Sequence, residues 1–389
     1  MPLSPLQLHK KLKGKFTITP KMDVKDKHTL ALLYTPGVAE PCKEIANNKE
    51  MSFKLTGRAN ALAVITDGSA VLGLGNIGAE AAMPVMEGKA ILFKKLGGID
   101  AYPICLKTQN KDEIINIIKN LAPTFGAINI EDIAAPKCFE IEDSLQDLGI
   151  PVMHDDQHAT AIVASAGLIN ALKVAGKNLR EIKIVLSGAG AAGIAIAKMI
   201  LRLTDKDTKG RENLSDMIVC DTKGIIHKGR PGLKENIYKK ELAKITNKNN
   251  ISGTLEDAFK GADVFIGVSK GGIVKKEWIK KMNTRPIIFA LANPIPEIMP
   301  EEAKLGGAFI IATGRSDYHN QLNNVLAFPG VFRGALNARA RAITEEMQMA
   351  AVYALANFIK IPRKNYIIPD ALNPKVHKIV AKEVMKTAI

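Results

Sequence analysis

The chain has 389 residues, 47% hydrophobic and 24% charged, with 31 Gly and 19 Pro. That composition suits two or three globular domains and excludes collagen, long coiled coil and wholesale disorder. The formal net charge is +15, but only 11 of the 54 basic residues are Arg. With no RNP-like aromatic motif and no zinc-finger spacing, the charge points to an acidic small molecule, not to nucleic acid or a membrane surface.

In chain order, residues 61–66 (ALAVIT) and 101–106 (AYPICL) read as buried strands. Residues 111–121 have helical spacing, with Ile114, Ile115, Ile118 and Leu121 on one face. A short strand follows at 127–130, a helical stretch at 144–148, a strand at 150–153 and a helix from about 157 to 174. From 182 the pattern becomes regular. Strands are predicted at 182–186, 217–220, 263–267, 286–290 and 309–312, and helices at 191–203 and 255–259. Residues 331–360 read as one long helix and 375–387 as another. Strands alternating with helices imply an α/β fold with parallel sheets covered on both faces. A boundary near Asp155 gives a mixed α/β substrate domain over 1–155 and a Rossmann-like dinucleotide-binding domain over 156–389 that carries the C-terminal helices.

Four cysteines (Cys42, Cys105, Cys138, Cys220) form no C-x-x-C pair, which predicts free thiols in a reducing compartment. The first residues lack the apolar stretch of a secretory signal and have no Arg. The longest uncharged stretches, such as 157–172, carry polar side chains. A cytoplasmic protein with no membrane span is the expectation.

Two glycine motifs compete. Gly188-Ala189-Gly190-Ala191-Ala192-Gly193 follows a predicted strand and opens an apolar helix, the context that dinucleotide binding requires. Pyrophosphate would sit on the unpaired N–H groups at that helix start. Asp221 ends the next strand, where a carboxylate accepts bonds from the ribose 2′-hydroxyl and disfavours a 2′-phosphate. NAD is therefore expected over NADP, although Lys223, His227, Lys228 and Arg230 follow closely. The long spacing to Asp221 is read as a loop insertion over 204–215. The second motif, Gly73-Leu-Gly75-Asn-Ile-Gly78, is read as a substrate-domain loop, since Pro84 and Gly88 downstream are poor in a helix interior.

Glu131-Asp132 and Asp155-Asp156 each follow a strand, where open α/β sheets bind ligands. Carboxylates without a Cys partner suit Mg²⁺ or Mn²⁺, although Asp156 would also serve as a helix cap. His154-Asp-Asp-Gln-His158 lacks the Glu base and the shared helix face of a zinc protease, so both His are read as packing or hydrogen-bonding residues.

Several segments together resemble the malic enzyme family in its short bacterial form. They are Tyr34-Thr-Pro-Gly-Val, Val64-Ile-Thr-Asp-Gly, Leu72-Gly-Leu-Gly-Asn-Ile-Gly, Met83-Pro-Val-Met-Glu-Gly-Lys89, Asn129-Ile-Glu-Asp132, His154-Asp-Asp-Gln-His-Ala-Thr160, Ala292-Asn-Pro294 and Asn323-Asn-Val-Leu-Ala-Phe-Pro-Gly330. The resemblance implies oxidative decarboxylation of malate to pyruvate with NAD or NADP and a divalent metal, in a homodimer or higher homo-oligomer. A malolactic enzyme, releasing lactate without net redox, is the near alternative. A non-catalytic basic RNA-binding protein is the remote one. By resemblance, Tyr34 is the general acid, Lys89 the general base and Asp155 its polar neighbour. Glu131, Asp132 and Asp156 are the metal ligands, and Asn293 and Asn324 contact substrate, with Asn293 also near the cofactor. A base working near neutral pH predicts a lowered pKa for Lys89. Longer family members place an Arg two residues after T-D-G to hold the substrate carboxylate. Here that position is Ala70, and a Lys, of this subunit or of a partner, is one alternative for that grip.

Overall fold

The computed structural model describes residues 4–205 and 215–388. Strands β1 (Ala61–Thr66), β2 (Asp100–Cys105), β3 (Ala127–Ile130) and β4 (Val152–His154) form a parallel sheet in the order β2-β1-β3-β4. Strands β5 (Lys183–Ser187), β6 (Asp216–Asp221), β7 (Gly224–Ile225), β8 (Val264–Gly267), β9 (Ile287–Ala290) and β10 (Ile310–Thr313) form a second sheet in the order β10-β9-β8-β5-β6-β7. Only its edge pair β6–β7 is antiparallel. The central strands β1, β3, β8 and β9 are buried along their whole length, which is why they read as continuous apolar runs and not as alternation.

Three helices, α1 (Pro5–Leu12), α2 (Lys27–Leu33) and α3 (Ala39–Asn47), lie on an N-terminal arm and bury none of their residues. Leu6, Leu8, Leu12, Phe16 and Ile18 on this arm are exposed. Helix α4 (Ala79–Gly97) runs through Pro84 and Gly88, against the sequence expectation. The two residues cost a helix interior about 3 and about 1 kcal/mol. The face formed by Ala82, Met86, Ala90 and Phe93 is buried, and this tertiary gain holds the helix together. Helix α5 (Lys111–Leu121) starts on the Asn110 cap and buries Ile114 and Ile118, with Ile115 and Leu121 packed at the core margin. The helical stretch expected at 144–148 is a single 3₁₀ turn, preceded by α6 (Lys137–Asp143).

Helix α7 (Asp155–Ala175) begins directly after β4 and packs on α8 (Ala191–Asp205). It is long and apolar enough to cross a bilayer, yet most of it is buried inside the protein. The loop insertion expected at 204–215 falls on residues 206–214, outside those described. The long helix expected over 331–360 is two: α9 (Phe328–Asn337) and α10 (Glu345–Phe358). The break was readable, because Thr344 caps α10 by accepting from the Met347 amide at 3.3 Å and Glu345-Glu346 fill the first turn. Helix α11 (Pro374–Thr387) packs on α9 and α10. Phe328 and Phe332 of α9 meet Phe93 of α4, with ring centroids 4.7 and 5.5 Å apart, so the C-terminal helices also cover the first sheet's unit.

Candidate active site

The C-terminal ends of β1, β3 and β4 and those of β5, β8 and β9 open onto one cleft of about 840 Å³. Glu131 and Asp132 leave the end of β3, and Asp155 and Asp156 open α7 after β4. Asp132 adopts left-handed backbone (φ 52°), and its amide donates to Asp156 Oδ2 at 2.9 Å. Glu131, Asp132 and Asp156 offer carboxylate oxygens that all lie within 4.8 Å of one another. Both ring nitrogens of His154 are buried without a hydrogen-bond partner, and Nε2 sits 3.8 Å from Asp156 Oδ2.

Lys89, on the buried face of α4, places its ammonium 2.6 Å from Asp155 Oδ2 and 2.8 Å from Glu131 Oε1, over the Phe328 ring at 4.3 Å. Burial alone would lower its pKa, but Asp155 and Glu131 outweigh burial and raise it above the ordinary lysine value. This corrects the expectation of a lowered pKa, which did not foresee two carboxylates in contact. Burial, then repulsion from Asp155, pushes Glu131 well up, and the same two causes raise Asp156. Asp155 goes the other way: burial opposes its charge, but Lys89 holds it below the usual range.

The crowded carboxylates therefore repel one another in a desolvated place. A hard divalent cation is the group such a donor set fits, and the orphaned His154 nitrogens mark the same spot as polar and unsatisfied.

Around the glycine motif, Ser187 ends β5 and α8 begins at Ala191. Gly188 has φ 114°. A Cβ on Gly193 would stand 1.9 Å from the Gly188 carbonyl oxygen, so only glycine lets α8 approach the turn. Gly190, Ala191 and Ala192 line the cleft, together with Ser269, Asn293 and Asn324. Asp221 ends β6 as expected, but its carboxylate is fully engaged. Oδ1 accepts from the Lys223 amide and Arg230 Nη1, both at 2.9 Å, and Oδ2 accepts from Arg230 Nη2 and Lys239 Nζ, both at 2.7 Å. Burial opposes its charge, but Arg230 and Lys239 prevail and hold the carboxyl down at about 2.

Tyr34 is not brought into the cleft of its own chain. It ends α2 on the arm and is 66% exposed.

Several contributors went unnoticed in the sequence. Glu142 is buried and accepts from the His154 amide at 2.9 Å, Gln157 Nε2 at 3.0 Å and His158 Nε2 at 3.0 Å, which fixes the turn that carries Asp155 and Asp156. Glu297 is buried and accepts from the amides of Ser269 (2.7 Å) and Ala292 (3.1 Å), which ties together two cleft-lining loops. Lys137 pairs with Asp67 of the T-D-G turn. No spacing rule singles out a lone Glu, although Glu297 closes the stretch Ala292-Asn-Pro-Ile-Pro-Glu297 and was the more visible of the two.

Two family models match the chain: malic enzyme, N-terminal domain, over residues 13–113 and 108–146, and malic enzyme, NAD binding domain, over 157–389. A bifunctional malic/malolactic enzyme of Bacillus subtilis is 51% identical over 387 residues, covering 99% of this chain and 92% of that protein. An NAD-dependent malic enzyme of Geobacillus stearothermophilus is 52% identical, covering 96% and 77%. An NADP-dependent malic enzyme of Haemophilus influenzae is 46% identical, covering 97% of this chain and 51% of that protein. Among solved structures, an NAD-dependent malic enzyme of Thermotoga maritima superposes with a TM-score of 0.93 at 49% identity and 99% coverage of both chains.

Proposed function

The chain belongs to the malic enzyme family, and from that premise we propose that it oxidatively decarboxylates malate to pyruvate and CO₂ with reduction of NAD. The observation that carries the reading is the cluster of Glu131, Asp132 and Asp156 beside the buried Lys89–Asp155 pair, in one cleft with Gly190 of the glycine motif. Glu131, Asp132 and Asp156 are the residues that would hold Mg²⁺ or Mn²⁺. Such an ion would supply Lewis-acid stabilisation of the charge that develops on the substrate oxygen during decarboxylation.

The chain's own groups do the proton work. Lys89 takes the C2 hydroxyl proton as hydride leaves C2 for the nicotinamide ring. For that it must first give up a proton, and Asp155 at 2.6 Å and Glu131 at 2.8 Å are the acceptors within reach. The C3–C4 bond then breaks, CO₂ departs, and the electron pair left on C3 takes a proton from a Tyr34 that a second copy of the chain brings to the cleft, since the chain's own Tyr34 stands outside it. Asn293 and Asn324, on the lining of the same cleft, orient the substrate. The test follows NADH and both pyruvate and lactate, with malate, NAD or NADP, and with or without Mn²⁺. Pyruvate matched by NADH supports the reading. Lactate without net NADH is the malolactic alternative, which the bifunctional Bacillus relative keeps in view.

NAD is proposed as the preferred cofactor, in a cytoplasmic enzyme. Asp221 neutralises Arg230 and Lys239, which would otherwise attract a 2′-phosphate. Asp221→Ser releases both cations. The NADP-to-NAD ratio of kcat/KM is expected to rise by about ten- to a hundredfold, the worth of one charge-assisted hydrogen bond. An unchanged ratio, or a wild type already favouring NADP, would refute the assignment.

We further propose a homodimer in which a second copy covers the exposed arm and its Tyr34 completes the facing cleft. Light scattering should return twice 42.0 kDa. Tyr34→Phe should keep that mass and still reduce NAD, while losing about 10²–10⁴-fold in proton exchange at pyruvate C3. A monomer in solution, or exchange at the wild-type rate, would contradict it.

A further inference from the structure

Malate carries two carboxylates, and a cleft that holds it needs a positive charge not already spent on the protein's own acids. The cleft lining contains the carboxylates Glu131, Asp132 and Asp156 and three basic side chains, His9, Lys15 and Lys89; His9 Nδ1 lies 2.7 Å from the Pro5 carbonyl of its own helix, and only Lys15 and Lys89 are ammonium groups. Lys89 is consumed by Asp155 and Glu131. Ala70, on the same lining, brings no charge.

Lys15 differs from Lys89 in each respect. It reaches the cleft from the arm, after α1, and its Nζ donates to the Pro84 carbonyl of α4 at 2.6 Å. Pro84 and Gly88 lie just before Lys89 on α4, and a Cβ at Gly88 would stand 3.6 Å from Lys15 Nζ. That is an ordinary contact distance, so the ammonium lies against the helix at this position. Among the described residues Lys15 has no carboxylate within 4.0 Å, so two of its three donors remain for a ligand.

We propose that Lys15 binds the carboxylate of malate that survives as the carboxylate of pyruvate. This rests on the malic enzyme reading above. The choice between the two carboxylates is energetic. The one that departs as CO₂ loses its charge in the bond-breaking step, so a cation on it would stabilise the ground state and slow the reaction. A cation on the retained carboxylate binds substrate, transition state and product alike. Lys15 is therefore a uniform-binding residue, and its loss appears in KM and not in kcat.

The test compares Lys15→Met, Lys15→Gln and Lys15→Arg in the full chain. Met removes charge and hydrogen bond, Gln keeps a neutral donor to Pro84, and Arg keeps the charge. For Met and Gln, KM for malate is expected to rise about ten- to a hundredfold, with kcat within about threefold and KM for NAD unchanged. Arg should recover most of the loss. Inhibition by pyruvate, which retains only the surviving carboxylate, should weaken by the same factor as malate. If Gln behaves as wild type, Lys15 only braces α4 and the proposal falls. It also falls if malate binding weakens while pyruvate binding does not, because the cation then sits on the departing carboxylate. Wild-type protein that does not turn over malate at all defeats the malic enzyme reading itself, whereas active wild type with an unchanged Met variant defeats Lys15 alone.

Discussion

Asp156→Asn is expected to lower kcat for malate by about a thousandfold while dinucleotide binding survives, because a lost Lewis acid is worth several kcal/mol at the reacting oxygen. The substitution is mild structurally. Asn at 156 can still accept from the Asp132 amide, the bond now 2.9 Å long. It also removes one of three carboxylates crowded within 4.8 Å, two of which are pushed upward by burial and mutual repulsion. The variant without added metal should be as stable as wild type or slightly more so, as is common where a binding site stores repulsion. Adding Mn²⁺ should raise the melting temperature of wild type and leave the variant unmoved, since only a ligand that binds the native state shifts that equilibrium. Full activity in the variant with no metal requirement would remove these residues from metal binding. Asp156 is not the cap the sequence suggested, because α7 starts at Asp155 with His154 before it; a purely structural Asp156 in that first turn would give a stability change of about 1 kcal/mol or less and normal turnover.

Lys89→Ala has two expected consequences. Reduction of NAD with malate falls by about 10²–10⁴-fold or more, the contribution of a positioned base, while decarboxylation of added oxaloacetate persists because its hydroxyl is already oxidised. Stability also falls, by about 3–5 kcal/mol near neutral pH, since Asp155 and Glu131 lose the cation that both contact. The pH dependence has a definite sign. Unpaired and buried, the two carboxyls titrate above their unfolded values, so the native state takes up protons first on acidification. The deficit relative to wild type is greatest above the raised values and shrinks as pH falls through them. Urea unfolding of both proteins across that range reads it directly. A deficit constant with pH, or a variant that still reduces NAD at the wild-type rate, would remove Lys89 from this place.

Much of this site could be read in the primary structure because it sits where strands end. The acidic pairs after the third and fourth strands and the glycine turn after the fifth are local patterns, and parallel sheets bring such ends to one edge. What depended on distant contacts was not readable. Pro84 and Gly88 argue against a helix locally, and only the buried face of α4 overrules them. The charge state of Lys89 is set by residues 42 and 66 positions away in the chain. Asp221 was found, but its saturation by Arg230 and Lys239 depends on how two later segments fold back. Lys15 is one lysine among many on a basic chain, and nothing but its arrival at Pro84 distinguishes it. The break between α9 and α10 is a different case, since its capping threonine was there to be seen.

The arm that buries none of its helical residues has a consequence for rate laws. If the proton donor of one cleft rides on a neighbour's arm, as proposed, the working catalyst is an encounter product, and each turnover presupposes an association equilibrium. Velocity would then rise faster than linearly with protein at low concentration and become proportional to it only once pairing is complete. Serial dilution of a stock would show specific activity draining away with a lag set by dissociation. A mixed population carrying pairing-competent chains that lack both Lys89 and Tyr34 would lose activity out of proportion to their number, whereas chains lacking only one of them would lose it in proportion.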